Sequence, residues 1–491
     1  MSDGGNLFGT VAALAAKFPQ RTIVCARDGS WSAAELAARV RGAVDVLLAE
    51  GVRPGDVVFL ACQAERTALV FMLGIAAIGA TVFTVPKNMP DEQATSFIGT
   101  LAARWLVVDG PQRHALAVNR ILVSTAAAPA SASASGFEPP AAPAAPWTLA
   151  LGSGSTGRPK LMPISHHSQL VRMRCGPTWL PYDHSALLVT MVTMDFYAAK
   201  QRFLEALFRG APMWVDGFDA LLAAAPHSTM PPIALYGTAF HAQQLLALRT
   251  PAWDALRPRI GCLMIGGSTV SMDLRKKIRE QFCERLFILY GTNETHTSTC
   301  TRLPQVFDTD RTVGVPHPGF TVEIVDRQDR PLGRGVPGLI RIKSPATIAG
   351  YLGDDEATRE HFRDGWFYPG DVGILTTDGQ LIHRGRADGM MVMNGINIFP
   401  AEIEQAVATH PAVADCVALG IPHPVSESVP ICVVALHAGA QASPEEIRDH
   451  ARARIGVIYP RLVLVVDAIP RSEQGKLDAV GLHRLVASRL G

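Results

Sequence analysis

The stretch Leu149–Leu161 reads LALGSGSTGRPKL. Its apolar start predicts a β-strand that runs out at Leu151. The chain continues as Gly152-Ser153-Gly154-Ser155-Thr156-Gly157-Arg158-Pro159-Lys160. Three glycines keep a short run of backbone free of Cβ atoms, so its N–H groups can close on an anion. Ser153, Ser155 and Thr156 add hydroxyl donors, and Lys160 adds a positive charge. That is phosphate-holding chemistry at the end of a strand. It differs from the G-x-x-x-x-G-K-[ST] loop, because Arg158 and Pro159 separate the last glycine from the lysine and Leu161 comes after it. A flexible surface loop can have the same composition, so the rest of the chain must arbitrate.

The chain has 491 residues, more than one ordinary core accommodates, which implies at least two domains. Its hydrophobic fraction of 48% and charged fraction of 18% are those of a soluble globular protein. A net charge of +1 gives no reason to expect nucleic acid or an anionic membrane as partner. Eight dispersed cysteines, with no C-x-x-C and no metal spacing, read as free thiols in a reducing, cytoplasmic compartment. The start, MSDGGNLFGTVAALAAKFP, lacks the basic run of a secretory signal. Thr67–Val85 is 19 residues without charge. Gly74, Gly79 and the β-branched end favour a buried helix, a turn at Gly79 and a buried strand over a membrane span.

Helix-like and strand-like patterns alternate through residues 1–110. Asn6–Lys17 is amphipathic, and Ser32 with Glu35 forms a capping box ahead of a helix that stops at Gly51. Strands are expected at Thr22–Cys25, Asp56–Ala61 and Trp105–Asp109. Such alternation implies a parallel sheet covered by helices. Thr125–Pro146 is a low-complexity Ala/Pro/Ser excursion that cannot bury a core. Beyond it, helices are expected at His166–Arg174, Tyr197–Arg209, Phe240–Leu248 and Ser271–Gln281. Between them lie buried strands at Ala186–Val192, Ile233–Tyr236, Cys262–Ile265 and Leu286–Tyr290. From about residue 315 the pattern turns all-β, as a smaller barrel or sheet. After about 385–390 it becomes a compact α+β unit, a candidate lid.

Three further motifs come after the first. Leu289-Tyr290-Gly291-Thr292-Asn293-Glu294 ends a strand in an aromatic ring, a glycine and a carboxylate. Tyr368-Pro369-Gly370-Asp371 is succeeded by Gly385-Arg386-Ala387-Asp388. Pro470-Arg471-Ser472-Glu473-Gln474-Gly475-Lys476 lies near the end. In this order, over residues 153–476, they resemble the adenylate-forming enzymes: acyl-CoA synthetases, non-ribosomal peptide adenylation domains and luciferases. The family's first pattern is [ST]-S-G-[ST]-T-G-x-P-K-G. Ser153, Gly154, Ser155, Thr156, Gly157, Pro159 and Lys160 fit it, whereas Gly152 and Leu161 depart from it. Asn293 replaces a threonine, Pro369 replaces a threonine, and Val392 stands where many relatives carry lysine.

The resemblance implies a large α/β N-terminal domain of stacked mixed sheets with helices (1–387). It includes a β-barrel-like subdomain at about 315–387. A small mobile α+β lid comes next (389–491), swinging about a hinge at Asp388. It also implies ATP and Mg²⁺. Tyr290 would stack on adenine beside Gly291 and Thr292. Glu294 would hold the metal and Asn293 would donate to a phosphate. Asp371 and Arg386 would hold the ribose, and the 153–157 loop with Lys160 the phosphates. Lys476 would bridge carboxylate and α-phosphate, and Gly395 would face the incoming thiol of coenzyme A or phosphopantetheine. The acyl pocket would draw on Met194, Asp195, Tyr197, Tyr236, Gly266 and Gly267. Asp195 could hold an α-ammonium only if the spacing to Gly210 shifts by two residues, and Lys200 reads as a helix-surface lysine.

The leading expectation is an acyl- or aryl-CoA ligase acting on a small carboxylic acid. The second is a free-standing adenylation enzyme that loads a carrier protein in trans. The third is a nucleotide-binding scaffold without catalysis, suggested by Asn293 and Val392 and opposed by Lys476, Glu294, Asp371 and Arg386 together. A homodimer is an allowed assembly.

Overall fold

The computed structural model describes residues 5–111, 113, 116–123, 140, 142–152, 160–175, 184–224, 230–301, 304–307, 309, 311–393, 396–423, 427–471 and 477–490. Ser153, Gly154, Ser155, Thr156, Gly157, Gly395 and Lys476 lie outside them, as does most of the Ala/Pro/Ser run.

Two large sheets stack with helices between them. A six-stranded sheet runs Asn119–Leu122, Trp105–Val108, Val57–Leu60, Thr81–Thr84, Pro146–Gly152, Lys160–Ser165. Its members pair in parallel until the last two, which form an antiparallel hairpin with Gly152 opposite Lys160. The run 153–159 therefore joins two paired strands. The nine-stranded sheet is parallel through its centre: Leu286–Thr292, Ile260–Gly266, Ile233–Gly237, Leu187–Thr190, Met213–Trp214 and Thr22–Ala26. Antiparallel strands close both edges. Strands buried on both faces carry unbroken apolar runs, which is why FILY and LMIG read so clearly.

The layer between the sheets holds Phe8–Lys17, Ala33–Ala49, Glu65–Ile78 and Tyr197–Arg209. Their apolar faces share one core with Val58 and Val82 of one sheet and Leu188, Ala234 and Met264 of the other. A helix enclosed on all sides is apolar all round, and Leu69–Ile78 is buried throughout. Gly79 ends it in the left-handed region (φ 83°), and the chain re-emerges as strand Thr81–Thr84. Among the described residues no helix is long and apolar enough to cross a membrane. The expected capping box is present: Glu35 N donates to Ser32 Oγ (3.2 Å) and Ser32 N to Glu35 Oε2 (2.7 Å). Ser32→Ala should lower stability by about 1 kcal/mol. The check is a lower urea midpoint at an unchanged m-value.

A third sheet, built from Thr321–Val325, Gly338–Lys343, Asp371–Leu375, Leu381–Arg386 and two short edge strands, has its own core around Ile324, Ile340 and Leu381. The stretch expected to be all-β is interrupted by a helix, Asp355–His361. Asp354 caps it, accepting from Ala357 N at 2.9 Å. The C-terminal part folds on a five-stranded sheet with cores centred on Ile403, Cys432 and Ile447 and on Val433, Ile469 and Leu482. It meets the body through an ion pair between Arg384 and Glu402 and a hydrogen bond from Arg311 to the Ala401 carbonyl. All eight cysteines are free thiols.

Candidate active site

Two cavities meet where the nine-stranded sheet ends, sharing Gly267, Leu289 and Gly291. The smaller, about 260 Å³, is bordered by Gly267, Tyr290, Asp371 and His383. The larger, about 360 Å³, is bordered by Lys160, Asn293, Glu294, Tyr351 and Arg386. Phe196, Tyr197, Arg202, Tyr236 and Gly266 also line it. Among the described residues, none beyond Arg386 borders either cavity. Gly266 is needed for close approach: a Cβ there would come within 3.0 Å of the Tyr236 hydroxyl.

The Tyr290 hydroxyl donates to Asp371 Oδ2 at 2.7 Å, and its ring lies 5.2 Å from His383. Burial, and then the Asp371 carboxylate, push this phenol well above its ordinary range, so it stays a donor. Asp371 faces Arg386 in register between two paired strands, with Arg386 Nη1 3.7 Å from its Oδ1. Arg386 is forked onto Asp388 at 3.1 and 2.9 Å. A carboxylate acceptor and a guanidinium donor thus stand side by side at the junction of the cavities, a set that suits vicinal hydroxyls.

Glu294 is held from two directions. Tyr351 donates to its Oε1 at 2.8 Å, and that phenol is raised by burial and then by Glu294. Arg172, fully buried, donates to the carbonyls of Asn293 (3.0 Å), Glu294 (3.0 Å) and Ala346 (3.0 and 3.1 Å) and to the Tyr197 hydroxyl (2.8 Å). Lys160 sits 4.7 Å over the Tyr351 ring. A carboxylate with a lysine nearby suits Mg²⁺ bound together with phosphate oxygens. Asn293, expected to donate to a phosphate, gives one amide hydrogen to the Leu151 carbonyl at 3.3 Å. In this structure its amide ties the second motif to the strand that leads into the first.

The expected acyl residues divide. Tyr197, Tyr236, Gly266 and Gly267 border the 360 Å³ cavity, whereas Met194 faces an adjoining, mostly apolar cavity of about 510 Å³ that shares Val192 with it. Asp195 borders none of these three cavities. It accepts from Lys87 N (3.0 Å) and from the Thr193 hydroxyl, anchoring a turn. The α-ammonium role therefore has no geometric basis at Asp195. Lys200 is not a surface residue: it is 2% exposed. Burial brings it down to about 8, against the opposing pull of Asp195 and Glu65. The helix Tyr197–Arg209 is enclosed on every side, so its polar residues point into the protein.

Arg172 and Tyr351, and a cluster around Glu205, escaped the sequence reading. Glu205 Oε1 accepts from Gln201 Nε2 (3.0 Å) and Arg202 Nη2 (2.9 Å) and lies 3.1 Å from His296 Nε2. Burial lowers His296 to about 4 despite Glu205, which keeps it neutral near pH 7. A charged residue within a helix of mixed pattern gives no local sign that its end is buried. Only Gly350-Tyr351 ahead of the cap Asp354 offered a local signal.

The family model of the AMP-binding enzymes matches residues 11–352, and that of the AMP-binding enzyme C-terminal domain matches 402–476. Over 484 residues the chain is 28% identical to the feruloyl-CoA synthase of Amycolatopsis sp., covering 94% of each protein. It is also 28% identical over 494 residues to the probable non-canonical nonribosomal peptide synthetase CymA of Salinispora arenicola. That match spans 95% of this chain but 6% of that protein. The ATP-bound crystal structure of MatB from Rhodopseudomonas palustris has the same fold, with TM-score 0.86 at 22% identity over 99% of this chain and 100% of that one. The chain belongs to the AMP-binding enzyme family and is an adenylate-forming acid–thiol ligase.

Proposed function

We propose that the protein activates a carboxylic acid with Mg·ATP to an acyl-adenylate and pyrophosphate, then transfers the acyl group to the thiol of coenzyme A. The observation that carries this is one 360 Å³ cavity whose lining combines Lys160, Glu294 and Arg386 with the aromatic rings of Phe196, Tyr197 and Tyr236. Bound Mg²⁺ would neutralise triphosphate charge, and Glu294 would hold it. The acid's oxygen attacks the α-phosphorus, and pyrophosphate departs. Lys160 and the 153–157 loop offset charge on the phosphates, and Lys476 offsets charge developing at the α-phosphate. Residues 1–387 form the body and 389–491 a lid turning at Asp388. The turn withdraws Lys476 and brings Gly395 toward the incoming thiol.

Acid-dependent pyrophosphate exchange tests the first half-reaction, and AMP release with and without coenzyme A tests the second. If neither coenzyme A nor a holo-carrier protein speeds AMP release, the thiol step is wrong. The likeness to CymA along the whole chain favours one second reading, loading onto a carrier's phosphopantetheine, which the holo-carrier arm would reveal.

Asp371 gives a sharper test of the nucleotide side. A hydrogen bond to a charged group contributes roughly 1.5–3 kcal/mol. Asp371→Asn should therefore raise the KM for ATP about 10- to 100-fold and leave the KM for the acid nearly unchanged. Equal changes in both would remove Asp371 from the ribose site.

A further inference from the structure

Resting on that reading, we infer that Glu205 sets substrate choice: by neutralising Arg202 it selects an acid whose far end carries an uncharged oxygen, and it excludes dicarboxylates and amino acids. Arg202, Gln201 and His296 border the 360 Å³ cavity together with Tyr236 and Thr297. Glu205 lies behind them, with no solvent exposure; its Oε1 accepts from Gln201 and Arg202 and lies 3.1 Å from His296 Nε2. Arg202 also donates to the Thr297 hydroxyl at 3.1 Å and stands 5.7 Å from the Tyr236 ring. The other buried guanidinium nearby, Arg172, is directed at the carbonyls of Asn293, Glu294 and Ala346.

A buried cation with no counter-charge would draw a second carboxylate from the substrate. Arg202 already has its anion. A substrate carboxylate placed against it would sit near Glu205, two negative charges about one positive in a poorly solvated space. An ammonium would meet a guanidinium. A hydroxyl, methoxy or carbonyl oxygen carries no charge to repel, and it can exchange hydrogen bonds with guanidinium, amide and hydroxyl groups. Glu205 acts through Arg202 and is a positioning residue.

The test uses the full chain and acid-dependent pyrophosphate exchange. The acids are hydroxylated benzoates and cinnamates, the same rings with a carboxyl in place of the hydroxyl, the unsubstituted acids, and tyrosine. The wild type should favour the best hydroxy acid over its dicarboxylate counterpart by about tenfold or more in kcat/KM, with tyrosine inert. Glu205→Gln leaves Arg202 without its neutralising charge and should move that ratio about tenfold toward the dicarboxylate, through KM. Arg202→Met should raise the KM of the hydroxy acid and spare the unsubstituted acid. A wild-type preference for a dicarboxylate or tyrosine overturns the inference. So does a Glu205→Gln protein with a native circular-dichroism spectrum and an unmoved ratio. Should Glu205→Gln not fold, the wild-type and Arg202→Met profiles decide. No exchange with any acid defeats the adenylating reading itself, whereas exchange with tyrosine or a dicarboxylate alone defeats only the inference.

Discussion

Lys476→Ala should abolish acid-dependent pyrophosphate exchange, a fall of at least about 10²–10³-fold, while a pre-formed acyl-adenylate is still passed to the thiol at near wild-type rate. On the proposed reading, negative charge gathers at the α-phosphorus in the first half-reaction, and the Lys476 ammonium would offset it there. The second half-reaction would break an acyl–phosphate bond after the proposed turn of the lid, with no charge added at that phosphorus. The structure supplies an anchor for the segment. Arg471 grips Asp415 through two hydrogen bonds of 2.7 and 2.8 Å, and it pairs with Leu477 in an antiparallel bridge on either side of 472–476. Single-turnover measurements of each half-reaction check this. Equal loss of both would rule out the domain rotation.

The second large effect is expected at Arg172. Its guanidinium donates to the carbonyls of Asn293, Glu294 and Ala346. Arg172→Met leaves the half-buried Asn293 carbonyl without this donor, whereas the Glu294 carbonyl keeps Ile348 N (2.9 Å) and the Ala346 carbonyl keeps the Ser168 hydroxyl (2.9 Å), so the body should lose about 1–3 kcal/mol. The loss is functional too, because these bonds fix the backbone that carries Glu294. A displacement of about 1 Å at such a position is worth about 100-fold in rate. Arg172→Lys keeps the charge but not the fork, and should recover only part of either. Urea unfolding and pyrophosphate exchange read the two effects. A variant unchanged in both would make Arg172 an ordinary core residue.

The sequence disclosed what depends on local pattern. The apolar runs at 57–60, 81–84 and 286–290, the capping box at Ser32 and the glycine stop at 210 all lie where composition puts them. Each is governed by residues within one turn or one strand. The helix Asp355–His361 has a short apolar face, and an aspartate such as its cap Asp354 is equally common in turns, so local pattern does not single it out. The site divides in the same way. Tyr290, Asp371 and Arg386 stand together because strand ends deliver them, and strand ends can be read. Asp195, Lys200, Arg202 and Glu205 cannot be assigned from their neighbours in sequence. Their environment is made by Glu65, Lys87 and His296, brought in from distant elements by the stacking of sheets. Asn293 is a similar case. A side chain at a strand end can face a ligand or the adjoining strand, and only the pairing of sheets decides.

The most direct measurement tracks one oxygen atom. An accepted acid, labelled with heavy oxygen in its carboxylate, is turned over with ATP and coenzyme A, and the nucleotide product is weighed by mass spectrometry. Attack of the carboxylate on the α-phosphorus predicts AMP carrying one labelled oxygen, with pyrophosphate unlabelled. ADP as the product, or AMP free of label, would contradict it.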